Sequence, residues 1–238
     1  MTAMILRGAI RAFVLAALLV APAVVVAEDA APNDQALLEN VTLLRGRLET
    51  ARELIRLGKG DLALKRHLGD NLGGRVANLE PEIKARKLQA FDNELQGLVA
   101  AAGSVESYDA ALAKVTPLLT KLESAIPQQK LASPKFLAGV LSDIVAHAAV
   151  DYRASVKDGK VGIIKEYEEV FGYDRVTVAL WKARLEPALG GKSPALADAF
   201  AKLSAALPSP VPPSKVELTP DAFEAISATI KAETEKLK

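Results

Sequence analysis

Residues 151–174, DYRASVKDGKVGIIKEYEEVFGYD, place acidic and tyrosine residues on both sides of one turn. Asp158-Gly159 at the centre of this stretch is typical of a chain reversal, because both residue types tolerate turn conformations. The segments on either side are apolar at helical spacing. The sequence therefore predicts a helical hairpin, in which the first helix begins near residue 134 and the second runs over about 161–185.

Two carboxylates and an imidazole of this hairpin are predicted to face its apolar seam. On a helical wheel, at about 100° per residue, Asp151 lies about 20° and His147 about 60° from the centre of the apolar face of the first helix. Glu166 lies about 40° from the centre of the apolar face of the second helix, whereas Glu168 points away and is expected to be solvated. Residues equidistant from the turn meet in an antiparallel hairpin. Asp151 should therefore face Glu166, with His147 near Glu169.

Three explanations for such a cluster stay open from the sequence. Unpaired carboxylates in a partly dry seam repel one another, so they need basic partners, a raised carboxyl pKa or a bound cation. Arg153, Lys165 and Arg184 are within possible reach and would make the seam a salt-bridged helix contact. A metal site or acid–base chemistry are the alternatives. Carboxylate oxygens with an imidazole suit iron or manganese more than Cu(I).

The rest of the chain also has the apolar periodicity of helices, which predicts an all-α protein of antiparallel helical bundles. Residues 28–128 are expected to form one helical unit, with Pro117 kinking or restarting its last helix. Residues 129–207 are expected to form a second unit that contains the hairpin. Residues 208–238 are predicted to be a proline-rich linker and a final helix capped by Thr219. That helix is expected to pack on the body, with a free partner-binding segment as the alternative.

The first 27 residues have the pattern of a secretory signal peptide. Arg7 and Arg11 precede an apolar stretch over residues 12–26, which Pro22 interrupts and acidic residues follow. This stretch is shorter than the ~20 residues of a spanning helix, so a membrane anchor is the less favoured interpretation. Cleavage after Ala27 would deliver residues 28–238 to the periplasm.

Composition excludes several functional classes. Subtracting Arg7 and Arg11 from the 30 basic residues leaves 28 against 29 acidic ones in the mature chain. The mature chain therefore lacks a net positive charge that would attract nucleic acid. The absence of cysteine excludes disulfides, iron–sulfur clusters and thiolate zinc sites. His67, in a basic stretch, is expected to be solvated. No nucleophile has a base predicted beside it, so we expect no catalysis.

The hairpin resembles a segment in the exported helical regions of bacterial high-affinity iron permeases of the Ftr type. A fainter likeness links the chain to imelysin-type periplasmic iron-uptake proteins. Ser155 stands where the permease segment usually has alanine. The residues that match the pattern are Asp151-Tyr152, Val156, Asp158-Gly159, Val161 and Glu166-Tyr167-Glu168-Glu169.

A weaker likeness to the neighbouring helical region of the same permeases covers about residues 50–125. Ala77 stands there in place of the first of two usual glutamates, so Glu80 is interpreted as structural. The order of the two similar segments is reversed here. The permease's membrane helices and their Arg-Glu-Gly-Leu-Glu motif are missing, so this chain is not the transporter.

The resemblance implies a periplasmic, non-catalytic accessory of iron uptake that binds iron or another divalent or trivalent ion. A membrane iron permease or another uptake component would be its partner. The predicted ligands are Asp151, Glu166, His147 and Glu169. Tyr152, Tyr167 and Tyr173 would close the site or hydrogen-bond its ligands. The alternative is an exported helical interaction module, without a metal site, that docks onto a membrane complex.

Overall fold

The computed structural model describes residues 32–237, without the side chains of residues 70 and 71. The predicted signal peptide lies outside this range. The described chain is helical apart from one two-stranded hairpin, which confirms the predicted all-α class. The helices before the hairpin are α1 (Asp34–Arg56), α2 (Gly60–Arg66), α3 (Asp70–Ala77), α4 (Glu80–Ala85), α5 (Asp92–Ala100), α6 (Val105–Ser124), α7 (Gln128–Leu131) and α8 (Pro134–Ser155). The hairpin comprises β1 (Val156–Lys157) and β2 (Lys160–Val161), after which come α9 (Ile164–Leu180), a π-helical turn (Trp181–Leu185), α10 (Glu186–Ala188), α11 (Pro194–Ala206) and α12 (Pro220–Glu235).

Four long helices of the C-terminal half form a bundle. α8 packs against α9 and α12, and α11 packs against the same two helices. The antiparallel β-hairpin joins α8 to α9 and pairs Val156 with Val161. Asp158 and Gly159, with φ angles of 52° and 70°, reverse the chain in the left-handed region, as the sequence predicts.

The first helix joins the N-terminal half to this bundle. α1 packs against α9 and α8 as well as against α2 and α6, and its apolar residues belong to the same buried core. The division into units 28–128 and 129–207 stays a prediction. In the folded chain, α1 is a neighbour of the helical hairpin formed by α8 and α9.

The contact between α1 and α9 brings two backbones together at Gly46 and Gly172. A Cβ atom on Gly172 would lie 2.2 Å from the Gly46 carbonyl oxygen and 2.3 Å from the Thr50 hydroxyl. The Thr50 hydroxyl is 3.0 Å from the Glu168 carbonyl oxygen, to which it donates a hydrogen bond across the same interface. No larger residue fits at Gly172 while the helices keep this separation.

The C-terminal helix packs on the body, against α8 and α11. Its predicted cap forms, because the Thr219 hydroxyl accepts the Ala222 backbone N–H at 3.2 Å. The Tyr152 ring of α8 stacks on Phe223, with ring centres 4.4 Å apart. The alternative of a free C-terminal segment is therefore wrong.

The N-terminal half contains one helix break, at Gly69, and one helix that continues through a proline. α2 and α3 are separate helices around Gly69, whose φ of 58° is outside the helical region. Pro117 lies inside a continuous α6, so the helix does not restart at this proline. None of the helices within residues 32–237 has the length and apolar character that crossing a membrane requires.

The α1–α9 contact makes Gly172→Ala a sharp test of the fold. The added methyl group must push the backbones apart, so we expect the free energy of unfolding to fall by at least about 2 kcal/mol. Gly97→Ala is the control, because Gly97 is helical and has no neighbour within 4 Å of the added position. It should gain up to about 1 kcal/mol. Urea denaturation measures both, and equal stability of Gly172→Ala and the wild type would contradict this packing.

Candidate metal centre

Three acidic side chains meet where α8 faces the first turns of α9. Asp151, Glu166 and Glu169 each offer one carboxylate oxygen, and these atoms all lie within 4.8 Å of one another. Asp151 and Glu166 are partly buried and Glu169 is buried. We call these three residues the carboxylate cluster. It brings together three of the four predicted ligands.

His147 lies at the edge of the carboxylate cluster, one helical turn before Asp151. Its Nε2 atom is 3.5 Å from Asp151 Oδ2. Partial burial lowers the pKa of His147, and the positive charge of Arg75 lowers it further. The imidazole is therefore neutral at pH 7 and has a lone pair that can bind a metal ion.

Glu169 is surrounded by groups that stabilise its charge. Its carboxylate lies 2.5 Å from Arg47 Nη2, 3.2 Å from Lys165 Nζ and 3.7 Å from Arg75 Nη2. The Tyr173 hydroxyl donates to its other oxygen at 3.0 Å. Burial alone would raise the pKa of Glu169, but Arg47 and Lys165 outweigh it and hold the pKa below its usual value. Glu169 is therefore ionised.

Asp151 and Glu166 have no comparable compensation. In the part of the chain that the structure describes, neither forms an ion pair with lysine or arginine. Burial raises the pKa of Asp151 to about 6, and the negative charges of Glu166 and Glu169 contribute to the same shift. This side of the carboxylate cluster has an excess of negative charge that a cation would relieve.

The basic residues around the cluster differ from those expected. Lys165 pairs with Glu169, but Arg153 binds Asp221 and Glu224 on α12. Arg184 pairs with Glu123 on α6, at 3.2 Å. Neither arginine reaches the cluster, because each has an acidic partner on another helix.

Arg47 and Arg75 take their place, and the sequence analysis missed both. They come from α1 and α3, and only the tertiary packing of those helices brings them to α9. Arg47 nevertheless left a signal, since it follows Leu44 by three positions and precedes Ala51 by four, inside the apolar stripe of α1. A buried arginine at such a position needs an acidic partner.

Only one of the three predicted tyrosines contacts the carboxylate cluster. Tyr173 hydrogen-bonds Glu169, as described above. The Tyr152 hydroxyl instead donates to the Leu218 carbonyl oxygen at 2.8 Å, on the side of α8 that faces α12. Tyr167 packs beside Tyr152, with ring centres 6.4 Å apart, and its buried hydroxyl has no hydrogen-bond partner among the described residues. The structure thus assigns Tyr152 and Tyr167 to the bundle interior.

The expectation that Glu168 and His67 are solvated is wrong. Glu168 is buried and accepts hydrogen bonds from Arg66 Nη1 at 2.6 Å and His67 Nε2 at 2.9 Å. His67 is fully buried, and its Nδ1 has no partner in the described structure. The wheel of the hairpin alone could not reveal this, because α1 and α2 cover the face of α9 that points away from α8.

Comparison with known families concerns the C-terminal half. Residues 127–238 match the family model of the iron permease-associated 4-helix bundle domain. These residues include α8, α9, α11 and α12 and the whole carboxylate cluster. The predicted resemblance to an Ftr-type helical domain is therefore confirmed for this part of the chain. Neither the curated proteins nor the solved structures gave a match.

The raised pKa of Asp151 predicts how stability depends on pH. An acid with a pKa of about 6 when folded and 3.8 when unfolded binds more protons in the folded state between these values, so the free energy of unfolding falls as pH rises through that window. Asp151→Asn removes this penalty. In the presence of a chelator, it should be more stable than the wild type above pH 6, by on the order of 1 kcal/mol after solvent screening. The gain should vanish below about pH 4.

Thermal unfolding from pH 4 to 8 checks this expectation. Asp198→Asn is the control, since Asp198 lies exposed on α11 beside Lys202. Its stability difference from the wild type should not show the same rise between pH 4 and 6. A loss of stability in Asp151→Asn at pH 7 would contradict the electrostatic description of the cluster.

Proposed function

We propose that this protein is an exported, non-catalytic accessory of iron uptake that binds a metal ion at the carboxylate cluster. Asp151, Glu166 and Glu169 would provide oxygen ligands, and His147 would complete the set. One observation supports this most strongly. Three carboxylates converge within 4.8 Å, and in the described part of the chain two of them form no ion pair with lysine or arginine.

The chemistry of these side chains favours a hard or borderline cation. Carboxylate oxygens suit iron and manganese, and an imidazole nitrogen suits iron, whereas Cu(I) prefers the thiolates that this chain lacks. A cation among Asp151, Glu166 and Glu169 would offset the repulsion that adds to the effect of burial in raising the pKa of Asp151. Tyr173 would orient Glu169 through its hydrogen bond, as residues around a metal site commonly do.

Export and the partner rest on independent arguments. The N-terminal pattern supports a cleaved signal peptide and a periplasmic location for residues 28–238. The match to a domain associated with iron permeases supports a role beside such a permease or another uptake component. Without a predicted nucleophile and base, the protein would bind and transfer its ion and would not catalyse a reaction.

The basic residues around Glu169 favour a second candidate function. Arg47, Arg75 and Lys165 could balance the three carboxylates without any metal ion. The seam would then be a structural ion network. The protein would act as a helical interaction module on a membrane complex.

Metal titration of the purified mature protein separates the two functions. We expect the wild type to bind about one equivalent of Fe(II) or Mn(II) by calorimetry. Asp151→Asn/Glu166→Gln keeps the shape of both side chains but removes their charges. It should weaken binding at least 100-fold, because the loss of residues that only orient a ligand already costs 10–100-fold.

Asp174→Asn is the matched control. Asp174 is another buried carboxyl group of α9 whose pKa burial raises to about 6, but its partner is Ser204 on α11. This variant should bind the metal as the wild type does. Equal binding by the wild type and the double variant, or no binding by either, would defeat the metal-site proposal and favour the interaction module.

A further inference from the structure

Arg75 of α3 contacts two residues that the proposed metal site would use. Its Nη2 atom lies 3.3 Å from His147 Nε2 and 3.7 Å from Glu169 Oε2. The same nitrogen donates a short hydrogen bond to the Tyr173 hydroxyl. The guanidinium carbon is 5.5 Å from the centre of the Tyr173 ring. A single guanidinium nitrogen therefore lies among an imidazole, a phenol and a carboxylate.

The contact with Arg75 indicates which ring nitrogen of His147 carries the proton. A guanidinium group only donates hydrogen bonds. Nε2 of His147 can therefore accept one from Arg75 only through its lone pair, with the imidazole proton on Nδ1. A metal ion would bind through that same lone pair. One lone pair cannot serve both partners. Arg75 in this position and His147 as a metal ligand are mutually exclusive.

Charge adds to this competition. The guanidinium group stays protonated at any physiological pH, so Arg75 repels a cation that enters the carboxylate cluster. It also shares Glu169 Oε2 with Tyr173. Arg47 differs, because it contacts the other oxygen of Glu169, Oε1, and its side chain is only 5% exposed. Of these two arginines, Arg75 is the one placed against the nitrogen that His147 would offer to an ion.

The helix that holds Arg75 packs against α1 and α4, with Leu72 and Val76 buried, and Arg75 is its link to His147 and Glu169. α3 follows Gly69, which has a left-handed backbone, and Gly73 and Gly74 have no neighbours within 4 Å of the positions where side chains would begin. Two glycines lower the intrinsic stability of so short a helix. A cavity of about 660 Å³ separates α3 from α5, with Leu72, Val76, Leu95 and Val99 among its lining residues.

We propose that Arg75 is a resident counter-cation that a metal ion displaces, so that metal binding breaks the side-chain contacts that tie α3 to the α8–α9 seam. This inference rests on the proposed function. His147 Nε2 and Glu169 Oε2 exchange the guanidinium group for the ion, and Arg75 withdraws towards solvent. The loaded protein then differs from the unloaded one at α3, on its surface, where a partner can detect the difference.

Substitution of Arg75 tests the competition directly. Arg75→Gln keeps a polar side chain but removes the charge, and we expect it to bind Mn(II) at least tenfold more tightly than the wild type in calorimetry. Arg66→Gln is the matched control, because Arg66 pairs with the adjacent Glu168 of α9 and not with the cluster. Its Mn(II) affinity should stay within twofold of the wild type. Equal or weaker binding by Arg75→Gln would overturn the inference.

Hydrogen exchange in the wild type tests the release of α3 without any substitution. Saturating Mn(II) should accelerate amide exchange across residues 69–77 several-fold and leave α12 unchanged. If the wild type binds Mn(II) and exchange in α3 slows or stays constant, the displacement of Arg75 is wrong and the proposed function stands. If neither the wild type nor Arg75→Gln binds Mn(II), the proposed function falls and the inference with it.

Discussion

The direct contact of the α1 and α9 backbones at Gly46 and Gly172 is the constraint on which the rest of the structure depends. Because these helices touch without intervening side chains, the next residue of α1, Arg47, reaches Glu169 at 2.5 Å. Thr50, one turn further along, hydrogen-bonds the Glu168 carbonyl oxygen. The charge state of the carboxylate cluster is therefore set partly by α1, a helix that precedes the residues matched by the iron permease-associated domain.

Adjacent glutamates of α9 illustrate two ways in which a buried charge is accommodated. Glu168 has two basic partners, Arg66 and His67, and forms a closed ion network under α2. Glu169 also has basic partners, but it shares its seam with Asp151 and Glu166, neither of which pairs with a lysine or arginine of residues 32–237. Carboxyl groups with a strongly perturbed pKa and no counter-ion of their own are typical of functional sites. This uneven pairing, with the three basic side chains at Glu169 and none paired with Asp151 or Glu166, distinguishes the cluster as the candidate site.

The local pattern was sufficient to predict the hairpin, its reversal at Asp158-Gly159 and the convergence of Asp151 with Glu166, since all three follow from helical periodicity and symmetry about one turn. The contacts that other helices make with α9 could not be predicted from this local pattern. Arg75 and His67 approach from helices about a hundred residues earlier, and a wheel drawn for two helices treats the remaining faces as solvent. The Gly46–Gly172 contact could not be predicted for the same reason, because the role of a glycine inside a helix depends on the backbone that packs against it.

Anomalous diffraction from crystals grown with Mn(II) would test the central claim most directly, because it locates the ion and identifies its ligands in one experiment. We expect a single strong peak between α8 and α9, at bonding distance from Asp151, Glu166 and Glu169. The Arg75 guanidinium group should be withdrawn from His147. An occupied site elsewhere, or a fully soaked crystal in which these three carboxylates bind no ion, would contradict it.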